Sequence, residues 1–157
     1  MTTPREMSRL TKRLAAYSTV DPDMRKLTQD AITLSFRSEP VFITGDTGTG
    51  KEVIATILHG TRVDDITTAV TDTLFESELF GHVKGSFTGA YCDREGLVAS
   101  AGVGTLFLDE IGDMPVTLQA KILRLIQFGT YRSVGSDKIR TAKCRIIAAT
   151  CKNVPQL

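Results

Sequence analysis

The sequence predicts an α/β domain in which a parallel sheet is sandwiched by helices, and three observations lead to this fold class. Short apolar runs alternate with segments of helical periodicity, a glycine-rich loop joins one such run to a helix, and an acidic pair ends a later run. Strands that alternate with helices are typical of βαβ units, whose parallel strands are buried on both faces. The chain of 157 residues, 41% of them hydrophobic, is long enough to bury a core of this kind.

Composition and charge exclude several function classes. The 19 Lys and Arg residues balance 18 Asp and Glu residues, and the net charge of +1 provides no general attraction to nucleic acid or to membranes. No apolar run approaches the 18 residues that a membrane-spanning helix needs. Cys92, Cys144 and Cys151 lack the spacing of a zinc site, and they are expected to be buried, inert thiols of a reducing compartment. A cytoplasmic protein with no membrane partner is therefore expected.

The beginning of the chain predicts two helices. Residues 1–20 carry basic side chains three and four positions apart, which indicates a solvated linker helix or, alternatively, a contact with nucleic acid. Asp21 and Pro22 form a helix start, because Asp favours the N-cap position and Pro favours the first turn. The second helix is expected to end near Ser38.

A strand, a loop and a helix follow in that order. Residues 40–44 are a β-rich apolar run, which predicts a fully buried strand of a parallel sheet. After the glycine-rich loop, apolar residues recur at helical spacing over 51–60. Residues 61–75 are ambiguous, and 66–70 could be either a short strand or a helix start.

The second half of the chain is interpreted from the same two periodicities. Its predicted elements are a helix over 76–80, a buried strand over 104–108, a helix from Pro115 to about Phe128, a small hairpin that pairs 131–134 with 139–142, and a strand over 145–149. The helix that begins at Pro115 carries a core-facing stripe of Leu118, Ile122, Leu125 and Ile126.

The glycine-rich loop has the pattern G-x-x-x-x-G-K between a strand and a helix, the context in which this pattern indicates a triphosphate cradle. Glycines let backbone N–H groups turn toward phosphate oxygens, and the helix N-terminus and the Lys51 ammonium add positive charge. The candidate triphosphate-binding residues are Gly45, Asp46, Thr47, Gly48, Thr49, Gly50, Lys51 and Glu52. Glu52 stands where a Ser or Thr hydroxyl usually ligates Mg²⁺, and its carboxylate could hold the ion instead.

An acidic pair ends the strand over 104–108, at the sheet edge where ligands bind in open α/β sheets. Asp109 is the candidate ligand of Mg²⁺, and Glu110 is the candidate residue that polarises an attacking water. Lys51, Asp109 and Glu110 are therefore the predicted catalytic residues, with Asp109 and Glu52 as the predicted metal ligands.

A second glycine-bearing loop places an aromatic residue and a hydroxyl between glycines. It comprises Gly85, Ser86, Phe87, Thr88, Gly89 and Ala90. One interpretation is a hairpin turn. The other is a flexible tip whose exposed Phe87 grips a partner. Composition leaves both interpretations open.

These motifs together resemble the central AAA+ domain of bacterial sigma-54-dependent transcription activators. The resemblance runs from about Asp21 to Asn153, and in this family Glu habitually follows the loop lysine. The residues that carry it are the loop with Glu52, the string over 76–82, the loop over 85–90, which is close to GAFTGA with Ser86 in place of Ala, and the strings over 104–111, 118–124 and 145–150.

The resemblance implies a mechanism and partners. Subunits would form a hexamer or heptamer ring with ATP between neighbours, and hydrolysis would move Phe87 and Thr88 against sigma-54 RNA polymerase. Residues 21–157 would be a partial AAA+ sigma-54 interaction domain that ends before the lid and the DNA-binding domain. DNA would be contacted only through those further domains.

Departures from the family pattern favour a chain with little ATPase activity of its own. The segment between Leu58 and Glu76 is short and lacks the Asn that normally restrains the catalytic Glu, and Cys151 stands where a sensor Asn is expected. The chain also ends before the arginine-finger region. The alternatives are a degenerate, non-hydrolysing nucleotide-binding or interaction module and a different P-loop enzyme. His59 is expected to pack at a helix end and His82 to belong to the loop rather than to a metal site.

Overall fold

The computed structural model describes residues 21–59, 66–68 and 75–152. Its helices are α1 (Pro22–Ser35), α2 (Lys51–His59), α3 (Phe75–Phe80), α4 (Leu97–Ser100) and α5 (Val116–Phe128). Its strands are β1 (Val41–Thr44), β2 (Ile66–Thr68), β3 (Thr105–Leu108), β4 (Thr130–Tyr131), β5 (Arg140–Thr141) and β6 (Arg145–Thr150). The helix expected within residues 1–20 lies outside the described residues.

The main sheet is parallel, with the strand order β1-β6-β3-β2. Alternate residues of β3 and β6 face opposite layers, since Leu106 and Ile146 pack in one apolar cluster and Phe107 and Ile147 pack in the other. The first cluster includes residues of α3, α4 and α5, and the second includes residues of α1 and α2. The predicted sheet between two helical layers is confirmed.

The start of α1 follows from its first residues. The Asp21 carboxylate accepts hydrogen bonds from the amides of Asp23 at 2.8 Å and Met24 at 3.3 Å, while Pro22 occupies the first turn. The helix ends at Ser35, three residues before the expected position, because the chain tightens into a turn in which the Arg37 amide donates to Leu34 O.

Arg145, at the start of β6, is 3% exposed and connects the layer of α1 and α2 to the sheet through hydrogen bonds. Its guanidinium donates to three backbone carbonyls, those of Leu58 at 2.6 Å, Leu34 at 2.9 Å and Glu39 at 3.1 Å. Carbonyls near helix C-termini have no partner within the helix, and a cation there is favourable. One buried side chain thus holds the ends of α1 and α2 and the approach to β1.

The expectation that β1 is fully buried is wrong. Its residues alternate between half-buried and exposed, and Phe42 is 42% exposed. In the described sheet β1 pairs with β6 on one side and lies at the edge, whereas β3 and β6 have a neighbour on both sides and are buried throughout. An apolar run indicates a strand but does not tell whether the strand is central.

The remaining expectations are confirmed with small changes. Residues 66–68 form a strand parallel to β3, which resolves the ambiguity of that segment. In the α5 stripe Leu118, Ile122 and Leu125 are buried. The predicted hairpin is shorter than expected, because β4 and β5 pair over two residues each and a wide loop joins them. No helix in the described part of the chain is long and apolar enough to cross a membrane.

Candidate functional site

The glycine-rich loop leads from the carboxyl end of β1 into α2, as predicted. Gly48 and Gly50 have φ angles of 81° and 85°, a left-handed conformation that glycine adopts without steric cost. Within the described part of the chain the amides of Gly48, Gly50 and Lys51 have no hydrogen-bond acceptor. Unpaired amides at a helix N-terminus fit phosphate oxygens, so the loop has the donors that a nucleotide requires.

The Lys51 side chain folds back over its own loop and is only 7% exposed. Its Nζ donates to the carbonyls of Gly45 at 3.0 Å and Asp46 at 3.2 Å. It also forms an ion pair with Glu110, with 3.1 Å between Nζ and Oε1. The structure thereby brings together two of the three predicted catalytic residues, which are 59 positions apart in the numbering of the sequence.

Glu110 directly follows the acidic end of β3 and adopts a left-handed backbone conformation with φ 49° and ψ 44°. Among the described residues it is the non-glycine residue with positive φ. This conformation costs roughly 1–2 kcal/mol for a residue with a Cβ, and backbone strain of this kind clusters at functional sites. It turns the chain from β3 into a 3-10 turn over Ile111–Asp113, and the Glu110 carboxylate remains beside the loop lysine.

The second oxygen of the Glu110 carboxylate accepts a hydrogen bond from the Cys151 amide, with 2.9 Å between N and Oε2. This backbone donor lowers the pKa of Glu110, and Lys51 acts in the same direction while burial opposes both. Glu110 is therefore held as a carboxylate between the end of β6 and the loop lysine. Cys151, predicted to be a poor substitute for a sensor Asn, contributes through its main chain.

Asp109 and Glu52 supply the oxygen ligands that Mg²⁺ prefers. Asp109 is half-buried, and its Oδ1 accepts from the Glu110 amide at 2.9 Å. Glu52 is exposed in the first turn of α2. Glu52 thus lies beside the loop and Asp109 at the end of β3. The structure records no contact between the two carboxylates.

Gly112, Asp113 and Lys152 also shape the site, and they were not singled out from the sequence. A Cβ on Gly112 would lie 2.5 Å from Thr150 Oγ1, so only glycine lets the 3-10 turn approach the end of β6. Lys152 donates to Gly112 O at 2.7 Å and pairs with Asp113 at 2.8 Å. A glycine two positions after the acidic pair is a local signal for this close approach, whereas the Lys152 contacts depend on the fold.

The loop over 85–90 is a compact turn that lies against the body of the protein. Its ends are joined by the Gly85 amide, which donates to Ala90 O at 2.8 Å. Ser86 lies so close to Gly135, in the wide loop between β4 and β5, that a Cβ on Gly135 would be 2.4 Å from Ser86 Cβ. Within the described residues the buried Ser86 Oγ has no hydrogen-bond partner.

Phe87 is not the exposed tip that the sequence suggested. Its ring is half-buried and packs edge-on against His82, with 5.0 Å between the ring centroids and 67° between the planes. Thr88 is exposed beside it. The turn interpretation and the partner-gripping interpretation are therefore compatible, because the turn presents Thr88 while it shelters Phe87.

The expectation of three buried thiols is wrong. Cys92 is exposed, and Cys144 and Cys151 are half-buried. Burial raises the pKa of Cys144, whose Sγ lies 3.6 Å from Val98 O. The two histidines agree with expectation, since His59 is buried at the end of α2 and His82 is buried at the base of the 85–90 loop.

Residues 17–157 match the family described as the Sigma-54 interaction domain. The chain is 42% identical over 138 residues to the transcriptional regulator VasH of Vibrio cholerae, covering 83% of this chain and 26% of that protein. It is also 42% identical over 148 residues to the transcriptional regulatory protein GlrR of Escherichia coli, covering 90% of this chain and 33% of that protein.

The fold of this chain is similar to that of NtrX from Brucella abortus in solved structures. One has a TM-score of 0.71 at 28% identity and covers 94% of this chain and 35% of that chain. NtrX structures in complex with ADP and with ATP have TM-scores of 0.68 and 0.69. The chain thus spans about a quarter to a third of the length of these relatives.

Proposed function

The chain belongs to the sigma-54 interaction domain family, and we propose that it is the ATP-binding remodelling domain of a sigma-54-dependent transcription activator. The single observation that carries the proposal is the contact between Lys51 of the phosphate loop and Glu110 of the β3 end. This contact joins a phosphate-binding element to a carboxylate suited to hydrolysis. Binding of ADP and ATP by NtrX supports the same ligand here.

The nucleotide-binding step uses the loop over 45–52. The free amides of Gly48, Gly50 and Lys51 donate hydrogen bonds to phosphate oxygens. The Lys51 ammonium leaves Glu110 and binds the β- and γ-phosphates instead. Asp109 and Glu52 would hold Mg²⁺, which when bound neutralises charge on the phosphates.

Glu110 is the residue that orients and polarises the attacking water. Its carboxylate has a lowered pKa and is therefore ionised at neutral pH, as a residue that accepts a hydrogen bond from water must be. The Cys151 amide that holds Oε2 also connects Glu110 to the end of β6. A movement of Glu110 toward the nucleotide would therefore also move the end of β6, which lies between β1 and β3.

The partner-binding step uses the loop over 85–90. Phe87 and Thr88 would contact sigma-54, and the movement of this loop during hydrolysis would remodel the closed RNA polymerase. Ring assembly with ATP between neighbouring copies, and a place in the cytoplasm beside RNA polymerase, belong to the same proposal. These activities are proposed for a whole activator, since the chain spans only 26% and 33% of the length of VasH and GlrR.

Two variants test the proposal. Lys51→Ala should abolish binding of a fluorescent ATP analogue while circular dichroism shows that the protein remains folded, and equal affinity in both proteins would contradict the phosphate cradle. Thr88→Ala should weaken capture of purified sigma-54 in the presence of ATP, and unchanged capture would contradict the partner surface. Lys138→Ala, an exposed lysine between β4 and β5, is the charge-matched control for Lys51.

A second candidate function is a nucleotide-dependent interaction module that does not hydrolyse ATP. Cys151 favours it, because the side chain at the end of β6 is a thiol without the amide that would contact a γ-phosphate or a water. Steady-state ATPase assays of the chain and of its Cys151→Asn variant, over a range of concentrations that allows assembly, separate the two. Turnover by the wild type supports the ATPase, and turnover by Cys151→Asn alone supports the module.

A further inference from the structure

We infer that His82 is a positioning residue that, together with Ser77, sets the resting place of the Phe87 ring and so controls how readily the 85–90 loop is released to its partner. The inference rests on the proposed function, since it concerns the loop proposed to bind sigma-54. It is carried by a chain of contacts that runs from α3 through His82 to Phe87.

The backbone of His82 is held on two sides. Its amide donates to Arg94 O at 3.0 Å, and its carbonyl accepts from the Arg94 amide at 2.9 Å. On the other side the Val134 amide donates to Gly81 O at 2.9 Å, and the Val83 amide donates to Val134 O at 3.1 Å. With the main chain fixed in this way, the orientation of the His82 ring depends on its side-chain torsions alone.

Ser77 restricts those torsions. Its hydroxyl oxygen lies 2.6 Å from His82 Nδ1, and both residues are buried, at 6% and 8% exposure. A short hydrogen bond between two buried groups is costly to lose when the ring rotates away, because it leaves a buried donor or acceptor unsatisfied. Ser77 belongs to α3, whose apolar residues pack in the first apolar cluster, so its hydroxyl is held in a fixed position beside the ring.

The fixed His82 ring is the surface on which Phe87 rests. The two rings meet edge to face at 5.0 Å, a geometry that the aromatic quadrupole favours. The loop residues Lys84, Gly85, Thr88 and Gly89 are exposed, and the loop's own hydrogen bonds close local turns. The ends of the loop are held by the buried Ala90 and by the Lys84 amide, which donates to Asp93 Oδ1 at 2.7 Å, so the position of its middle depends on the Phe87 ring and on the packing of Ser86 against Gly135.

The strength of this contact is suited to regulation. An aromatic pair contributes enough to change the population of the resting position by about twofold to tenfold. A contact of this size keeps Phe87 sheltered in the resting protein yet yields to a partner. Loosening the Ser77–His82 hydrogen bond should therefore expose Phe87 without unfolding α3 or α5.

The test uses the absence of tryptophan from the chain. Phe87→Trp introduces a single indole whose emission and acrylamide quenching report the exposure of the ring. In this reporter, Ser77→Ala and His82→Gln should each raise the quenching constant by about twofold or more. Ser35→Ala is the matched control, because Ser35 is also a buried helical serine, with its hydroxyl bonded to Ile32 O at 2.7 Å. It should leave the quenching constant unchanged.

A conservative variant separates positioning from general stability. His82→Phe keeps an aromatic ring against position 87 but cannot bond Ser77, so Ser77→Ala should have no further effect on quenching in the His82→Phe background. If His82→Gln does not fold by circular dichroism, Ser77→Ala carries the comparison. An equal effect of Ser77→Ala in both backgrounds, or no effect of Ser77→Ala in the reporter, overturns the inference.

Binding of sigma-54 distinguishes the inference from the proposed function. Ser77→Ala should raise the affinity for sigma-54 by about twofold to tenfold, because the Phe87 ring no longer has to be released from His82 before it binds. If quenching changes as expected but no variant and no wild-type protein binds sigma-54, the positioning role is supported and the proposed function fails. If the wild type binds sigma-54 while quenching is the same in all variants, the positioning role is wrong and the proposed function stands.

Discussion

The ion pair between Lys51 and Glu110 predicts that removal of the Glu110 charge strengthens ATP binding. In the structure the Lys51 ammonium is occupied by Glu110 and by two loop carbonyls, so phosphate must displace the carboxylate before it can use the lysine. Glu110→Gln keeps the shape of the side chain and can still accept the Cys151 amide, but it removes the competing charge.

The distance sets the magnitude of the effect. Unit charges 3.1 Å apart attract by about 5 kcal/mol at an effective dielectric constant of about 20. Desolvation and screening reduce the net value, because the Glu110 side chain is 28% exposed, and about 1–2 kcal/mol remains for a charge-assisted contact of this kind. Glu110→Gln should therefore bind ATP about 5 to 30 times more tightly than the wild type.

Isothermal titration with ATP in the presence of EDTA measures this difference without hydrolysis. Glu78→Gln is the control, since it removes the same charge from α3, where Glu78 lies 3.8 Å from Arg94 and its side chain is 39% exposed. It should leave the affinity within about twofold of wild type, since its ion-pair partner is Arg94 rather than Lys51 and salt screens a partly exposed charge. Equal or weaker ATP binding by Glu110→Gln, or an equal gain in Glu78→Gln, would refute the reasoning.

Three further predictions concern stability and reactivity. Ser86→Ala should raise the free energy of unfolding by about 1 kcal/mol, or Tm by about 2–4 °C, because it removes a buried hydroxyl that has no partner within the described residues. Cys92 should react with a maleimide about tenfold or more faster than Cys144 by peptide mass spectrometry, because Cys92 is exposed whereas burial raises the pKa of Cys144. The stabilisation from Glu110 should be present above the ordinary Glu pKa of about 4.3 and be lost as the pH falls through its lowered folded pKa. The Tm difference between wild type and Glu110→Gln at pH 7 should therefore shrink as the pH falls below about 4.3.

Each of these has a control and a contrary result. Ser133→Ala removes a buried hydroxyl that does have a partner, Phe80 O at 3.0 Å, and should lower Tm where Ser86→Ala raises it; a decrease in both variants would show that the Ser86 hydroxyl is satisfied. Equal labelling rates in urea show that Cys92 and Cys144 differ only through the fold, and equal rates in buffer contradict the burial difference. A Tm difference that persists unchanged at pH 3 would mean that the Glu110 charge is not its source.

Features encoded by neighbouring residues were predictable from the sequence. The glycine-rich loop, β3 and α5 each follow from residues within one segment, and the structure has them where periodicity and capping residues indicated. The exposure of Phe42 could not be predicted, because it depends on which strands flank β1 rather than on the residues of β1 itself.

The contacts that complete the site could not be predicted either, because they join residues that are far apart in the sequence. The Glu110 carboxylate meets Lys51 and the Cys151 amide, partners that are far away in sequence and that the sheet register brings together. A backbone donor leaves no trace in residue identity, so Cys151 could only be judged by its side chain. Ser86 is a similar case, because its significance depends on Gly135, which lies opposite it only in the folded chain.

The placement of β6 and Arg145 has a consequence for how the chain is made. The ribosome completes β1, α2 and β3 before β6, yet β6 lies between β1 and β3, and Arg145 holds the ends of α1 and α2. These earlier segments therefore cannot acquire their native packing until residues 145–150 have emerged. Pairings between strands this distant in sequence are slow to form, and the incomplete sheet meanwhile exposes apolar strand edges that favour aggregation. Nascent chains halted before and after β6 should consequently differ sharply in their need for chaperones.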